Sequence, residues 1–326
     1  MADIEREFVE WLRHRRRTHT AVTLGIGDDM AILARTGGPV LVSSDMLLDG
    51  IHFDTDRHDL SLIGRKAIAC SLSDCAAMAV RPIAVTVSIA LSSSCALPEA
   101  RRIYDGIFSI AQEYDVVVAG GDTTRWDHPL AIDVAITATP YEGVEPVRRS
   151  GARIGDTLYV TGPLGGSSLG RHLTFAPRVT EARKLAETLG ESLHAMMDIS
   201  DGLSLDLWRI CEASGVAAVL DERQLEAIIS EDARRLSGKD ATPALDHALS
   251  DGEDFELLLA IDGGAGPAPL PLWAVGQVHD LDTMEPPEGD HPGGECGTSP
   301  KSASPRLAIR RMDGRVEPLE PTGYLH

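Results

Sequence analysis

Leu24-Gly25-Ile26-Gly27-Asp28-Asp29 opens a series of acidic clusters that runs through the chain. Ser43-Ser44-Asp45 follows, then Ser71-Leu72-Ser73-Asp74 and Gly120-Gly121-Asp122-Thr123-Thr124, and far downstream Asp198-Ile199-Ser200-Asp201-Gly202. Each acid is flanked by glycine or a hydroxyl residue and sits by an apolar segment, where a strand or helix is expected to end. Carboxylates gathered this way repel one another unless cations lie between them. Hard oxygen ligands favour Mg²⁺ or Ca²⁺ over softer metals. Glycine turns beside them let backbone N–H groups approach phosphate. The pattern points to a nucleotide site holding several Mg²⁺ ions.

The 326 residues predict two domains, since single cores stop growing near ~250–300 residues. Hydrophobic residues make up 43% and aromatic ones only 4%, so the cores must be aliphatic. A net charge of −20 argues against nucleic-acid backbones and anionic membranes as partners. An anionic ligand then needs metal to bridge it to the protein. The five cysteines, Cys70, Cys75, Cys95, Cys211 and Cys296, form no CxxC pair and suggest neither a disulfide framework nor a zinc site. Cys70 and Cys211 read as small core residues. The N-terminus lacks the apolar core of a signal peptide, and the longest apolar run, residues 83–91, falls far short of the ~20 residues that cross a bilayer. A soluble, cytoplasmic protein is expected.

Residues 4–17 predict a helix closed by Arg13-His14-Arg15-Arg16-Arg17, a run that fits either a solvated helix end or a contact to ligand phosphate. Short strands follow over residues 21–51. A helix is expected over 60–80 with Asp74 inside it, where small neighbours allow close approach of a ligand. Arg81-Pro82 should end that helix. A strand over 83–91, a helix over 98–114, a strand over 116–119 running into Gly120-Gly121-Asp122, and a strand over 130–138 complete the first half. The order β-β-α-β-α-β-β predicts an α+β sheet rather than a doubly wound one. A turn-rich joint near Val147 divides domains 1–146 and 147–326. In the second half a strand over 157–161 enters the glycine-rich loop Gly162-Pro163-Leu164-Gly165-Gly166-Ser167-Ser168, which fits a phosphate loop or a plain turn. A helix is expected over 202–213, stopped by Gly215. Asp201 can be a ligand or only its N-cap. Gly252-Glu253-Asp254 leads into a strand over 255–261, residues 282–305 read as a mobile loop, and Asp313-Gly314 marks a hairpin.

There is no GxxxxGK[ST] loop, GxGxxG fingerprint, kinase motif set or HExxH. None of the four lysines, Lys66, Lys184, Lys239 and Lys301, lies in a phosphate-binding context. If ATP is used, the acidic clusters and their metal must replace lysine.

Taken together, these clusters resemble the thiamine-monophosphate kinase family. The resemblance also includes Asp49-Gly50-Ile51-His52-Phe53, Arg149-Ser150-Gly151-Ala152, Gly252-Glu253-Asp254-Phe255-Glu256-Leu257 and Gly323-Tyr324. The motifs occur in the family's order and span nearly the whole chain. The family belongs to the aminoimidazole-ribonucleotide synthetase superfamily. The resemblance implies a two-domain α+β architecture: an N-terminal mixed sheet domain for ATP, Mg²⁺ and dimerisation, and a C-terminal α/β domain completing the nucleotide and substrate site. It implies Asp29, Asp45, Asp74, Asp122, Asp198 and Asp201 as Mg²⁺ ligands, with Ser44 as a helper. Gly121, Asp122, Arg149 and Ser200 match positions that touch ATP, and Tyr104 one that walls the nucleotide. His52, Glu253 and Tyr324 match positions that hold thiamine phosphate. An acid such as Glu253 suits a cationic thiazolium, and an aromatic such as Tyr324 can stack on a flat ring.

The implied reaction moves the γ-phosphoryl group of ATP directly onto thiamine monophosphate. The acceptor oxygen is already anionic, so no catalytic base is needed; Mg²⁺ ions offset the repulsion and hold the groups in line. The segment 162–172 is shorter than the family's, and 282–305 looks like an insertion. The nearest rivals are other members of the superfamily. Selenophosphate synthetase wants a reactive Cys and a nearby Lys, and residues 1–27 contain neither. The hydrogenase-maturation member ends in cysteine, whereas this chain ends in His326. The purine synthetases lack the full set. A non-catalytic nucleotide-binding protein is the rival of a different class, and the intact set of acids argues against it.

Overall fold

The computed structural model describes Trp11, His14, residues 20–24, 32–33, 38–283 and 306–324. The helix expected over 4–17 lies outside these residues apart from Trp11 and His14, both helical. Gly25 to Ala31, with Asp28 and Asp29, and residues 284–305 also lie outside them. Two compact units emerge: Met1–Pro146 with Gly170–Arg183 and His326, and Val147–Leu169 with Lys184–Leu325. The first unit ends its main stretch at Pro146, and Gly170–Arg183 groups with it.

In the first unit β1 (Val22–Leu24) and β2 (Ile32–Leu33) form an antiparallel ribbon. The main sheet has the order β3-β6-β4-β5, with β3 (Leu41–Leu48), β4 (Val80–Ser92), β5 (Val117–Trp126) and β6 (Ala131–Pro140). β4 runs antiparallel to β6 and parallel to β5. Helices α1 (Leu60–Ala77) and α2 (Leu97–Glu113) pack together. Their approach depends on glycine. A Cβ on Gly64 would strike the carbonyl of Ile103, and one on Gly106 that of Ser61. β4 supplies Val85, Val87, Ile89 and Leu91 to the core.

Two expected boundaries change here. α1 stops at Ala77, and Arg81 and Pro82 are already in β4, where the ladder shifts register between Pro82 and Ala84. A proline without an N–H is tolerated at such an irregularity. β5 does not end before the glycines but carries Gly120, Gly121, Asp122, Thr123 and Thr124 inside the strand. Gly121 has φ +152°, and a Cβ there would run into the backbone of Val87. The glycine permits close pairing instead of breaking the strand.

The second unit is built on a seven-stranded sheet, order β13-β12-β9-β11-β7-β10-β8. Its strands are β7 (Thr157–Val160), β8 (Leu193–Asp198), β9 (Ala217–Asp221), β10 (Leu257–Ile261), β11 (Trp273–His279), β12 (Leu307–Arg310) and β13 (Val316–Pro318). Only β12 and β9 pair in parallel among these. α5 (Leu203–Ser214) buries Leu203, Leu207, Ile210 and Cys211 against this sheet's core and stops at Gly215, φ +71°, as expected. Short helices α3 (Arg171–Thr174), α6 (Glu222–Glu226), α7 (Glu231–Asp240) and α8 (Ala244–Ser250), and the longer α4 (Val179–Leu189), complete the described elements. Cys211 is a core residue, but Cys70 is only half-buried and Cys75 takes the interior place. No helix among the described residues is long and apolar enough to cross a membrane.

Candidate active site

In the first unit the acids divide between two faces of one sheet. Asp45, in β3, accepts a hydrogen bond at 2.6 Å from Ser71 of α1. Asp74 lies three residues beyond Ser71, less than one helical turn away on the same helix. Burial and then the charge of Asp74 push the Asp45 carboxyl up to about 6, against the pull of Ser71, with Asp133 adding a smaller push. Ser44, the preceding residue, points the other way, as alternation along a strand requires, and donates to Asp133 at 2.9 Å. Asp133 stands in register with Ser88 of β4, and Ser88 with Asp122 of β5. Asp122 is exposed and accepts the N–H of Thr123 at 2.8 Å. The sequence pattern sets Ser44 beside Asp45 and does not mark Asp133.

Among the described residues no three His, Cys, Asp or Glu side chains are gathered as a metal-binding group. The donor chemistry nevertheless fits a hard cation. Asp45 is a carboxylate driven up by burial and by a second carboxylate, the situation a divalent ion relieves.

His52 lies in a closed turn after β3. Its Nδ1 accepts the Leu48 N–H at 3.0 Å, so its ring proton sits on Nε2. Asp49 ties the same turn down by accepting from the N–H and hydroxyl of Thr55, at 3.0 and 2.6 Å. Tyr104 is 3% exposed on α2, with its ring 6.0 Å from that of Phe108 and 6.5 Å from that of Trp11. Burial pushes its hydroxyl up to about 12. Its hydroxyl bonds to Thr123 and feels the charge of Asp122, so the buried ring ends at the acidic cluster of β5.

In the second unit three distant motifs meet. β8 ends in Asp198, and the turn Ile199-Ser200-Asp201-Gly202 leads into α5. The Glu253 N–H donates to the Ser200 carbonyl at 2.6 Å, and the Tyr324 N–H to the Asp201 carbonyl at 2.8 Å. Gly323 allows the second approach, since a Cβ there would lie 2.5 Å from the Asp201 carbonyl oxygen. Glu253 adopts φ +53°, a strained backbone for a side-chain-bearing residue. Burial, then the charge of Glu253, raise the Tyr324 hydroxyl above its ordinary value. The charge of the Glu253 carboxylate thus reaches the Tyr324 phenol.

Asp201 is not the cap of α5; Gly202 holds that position. The turn is capped from inside the helix by Asp206, whose Oδ2 accepts from the N–H groups of Ser200, Asp201 and Gly202 at 3.0, 3.0 and 3.2 Å. Arg209 bonds Asp206 at 2.6 Å and Asp201 at 2.5 Å. Neither Asp206 nor Arg209 stood out in the sequence, although an Asp in the first turn followed three residues later by Arg was a readable signal. The glycine-rich loop resolves as a turn. The N–H of Gly165 donates to Asp254 at 2.9 Å, that of Gly166 to Asp251 at 2.8 Å, and Ser167 adds a hydroxyl bond to Asp254 at 2.7 Å. Its donors are turned to the protein's own carboxylates. Arg149 is exposed, and its backbone carbonyl accepts from Ser214 at 3.5 Å.

Comparison with known proteins places the chain in a family. Residues 27–140 match the family model described as AIR synthase related protein, N-terminal domain. The thiamine-monophosphate kinase of Rhodopirellula baltica is 43% identical over 266 residues, 79% of this chain and 82% of that protein. The crystal structure of thiamine-monophosphate kinase from Stenotrophomonas maltophilia K279a superposes with a TM-score of 0.69 at 31% identity, covering 83% of this chain and 92% of the other. AaThiL complexed with AMPPCP and TMP gives a TM-score of 0.71 at 25% identity, covering 92% and 91%. By the identity and coverage of these relatives, the chain belongs to the thiamine-monophosphate kinase family.

Proposed function

We propose that this protein catalyses ATP-dependent phosphorylation of thiamine monophosphate to thiamine diphosphate. The observation that carries the reading is the 43% identity to a thiamine-monophosphate kinase across most of both chains. The likeness to a structure complexed with AMPPCP and TMP supports the pair of substrates. The pairing of Glu253 with Tyr324 supports it chemically: a carboxylate beside an aromatic ring suits a flat, cationic heterocycle.

The residues divide by role. Asp45, Asp74 and Asp122, with Asp29, Asp198 and Asp201, are the carboxylates for Mg²⁺, and Ser44 assists by holding Asp133. Bound Mg²⁺ supplies charge neutralisation between two anionic phosphates and a template for in-line geometry. Gly121, Arg149 and Ser200 face ATP; His52 presents Nε2–H to the acceptor phosphate. Arg209 holds Asp201 in place through a second bond to Asp206. The acceptor oxygen is ionised at neutral pH, so no side chain removes a proton, and transfer is direct without a phosphoenzyme. Residues 1–146 serve ATP, metal and dimerisation, and 147–326 complete nucleotide and substrate recognition. A homodimer in the cytoplasm goes with this reading.

The test is ADP release from MgATP with thiamine monophosphate, run beside thiamine and aminoimidazole precursors, with products identified by mass. Thiamine diphosphate is expected from the monophosphate alone. Asp122→Ala is expected to lower turnover at least ~100-fold, the scale of a lost electrostatic anchor. Turnover only with another acceptor would replace this reading with a different superfamily activity.

A further inference from the structure

Lys66 is the largest side chain among those wholly removed from solvent, at 0% exposure in the middle of α1. A buried ammonium is tolerated only where acceptors replace water. Its Nζ donates to the backbone oxygen of His52 at 2.5 Å and lies 2.9 Å from Nδ1 of His172 in α3. An ammonium has donors only, so Nδ1 of His172 is the acceptor and its ring proton sits on Nε2. His52 has the same tautomer for a different reason, because its Nδ1 accepts the Leu48 N–H. The ring of His58 meets that of His172 edge-on at 5.4 Å, and its own Nδ1 accepts the Asp54 N–H at 3.0 Å. Three imidazoles are thus pinned through Nδ1, each with its proton on Nε2.

The place of Lys66 gives this clamp its meaning. The turn it grips is closed on itself by bonds from His52 to Leu48 and from Gly50 to Phe53. Lys66 joins that turn to the helix that carries Ser71 and Asp74. Lys66 and Asp74 are about 12 Å apart along the helix axis, at ~1.5 Å per residue. One rigid element therefore sets the spacing between the His52 turn and the acids beside Asp45.

We infer that Lys66, acting with His172, is a positioning residue that holds the His52 turn for the acceptor phosphate. It rests on the reading of His52 as a contact to thiamine monophosphate. Lys66 touches His52 through the main chain, so its effect is on where the imidazole stands, not on the transfer itself.

Steady-state kinetics of the full-length protein with MgATP and thiamine monophosphate test this in wild type, His52→Ala, Lys66→Met, His172→Leu and His172→Asn. Lys66→Met and His172→Leu are expected to raise KM for thiamine monophosphate about tenfold or more, with KM for ATP within about twofold of wild type. His172→Asn keeps an acceptor near the place of Nδ1 and is expected to return KM to within about threefold. Imidazole ¹⁵N spectra of the wild type, which need no variant to fold, are expected to show His52 and His172 protonated on Nε2. The His52 signal should move with thiamine monophosphate and not with ATP. If His52→Ala raises KM while Lys66→Met and His172→Leu lower only kcat, the positioning role is overturned and the substrate reading stands. A proton on Nδ1 of either ring overturns it as well. Absence of turnover with thiamine monophosphate in wild type removes the substrate reading and this inference with it.

Discussion

The carboxylate of Asp206 accepts three successive backbone N–H groups through one oxygen and holds Arg209 through the other. Burial, with the charge of Asp201, brings it up to about 6 against the pull of the Asp201 N–H and of Arg209. Removing it leaves the three N–H groups without their acceptor, while Arg209 keeps only Asp201. Asp206→Ala is expected to cost roughly 2–4 kcal/mol in urea unfolding. Asp206→Asn, which keeps an oxygen acceptor, should cost less. Equal losses for the two would mean that the hydrogen bonds to the turn contribute little. The residue went unmarked in the sequence because its partners are main-chain groups, which leave no signature. Ser44 and Asp45, neighbours in the sequence, find different partners. Neighbours in a strand face opposite ways, and that alternation was readable once 41–48 was taken as one strand.

Between α7 and α8 a single imidazole joins two elements. Nδ1 of His247 lies 2.9 Å from Asp251 on its own helix end, and Nε2 lies 3.3 Å from Asp240 at the end of α7. Burial works against charge on the ring, but the bonds and attraction of Asp251 and then Asp240 prevail and raise it above its ordinary value near 6.5. A histidine raised on folding holds its proton more tightly in the folded chain. Its stabilisation is complete below the unfolded value near 6.5 and is lost as pH rises through the higher folded value. His247→Gln should therefore lower the urea midpoint more at about pH 5.5 than at about pH 8.5. A loss that does not change with pH would contradict the charge-based account. Helices and strands of this kind were largely legible from periodicity: Gly215 stopped α5 and the Asp313-Gly314 hairpin formed between β12 and β13. β5 was cut short because glycine reads as a terminator, whereas Gly121 is there to let the Val87 backbone come close. The placement of 170–183 with the first unit depends on contacts such as Lys66 to His172, 106 residues apart, which no local pattern encodes.

At the scale of the whole molecule, the sheet of the first unit presents apolar side chains to solvent among the described residues. β3 lies at its edge, with Val42 74% exposed and Met46 61% exposed on the side that also carries Ser44. Val40, just before the strand, is 53% exposed. An edge strand with apolar side chains in water is a hazard for aggregation unless a partner covers it. A second copy of the same sheet is the covering the homodimer reading supplies. A two-fold interface is self-complementary, so one substitution appears on both sides of it. Val42→Glu with Met46→Glu then places four carboxylates in one dimer, each costly to bury without a partner. Both residues already face solvent in the single chain, so its folding is expected to tolerate the change. Sedimentation velocity should show a dimer for wild type and a monomer for the double variant, with circular dichroism unchanged. A wild-type monomer, or a double variant that still sediments as a dimer, would exclude this face as the dimer interface.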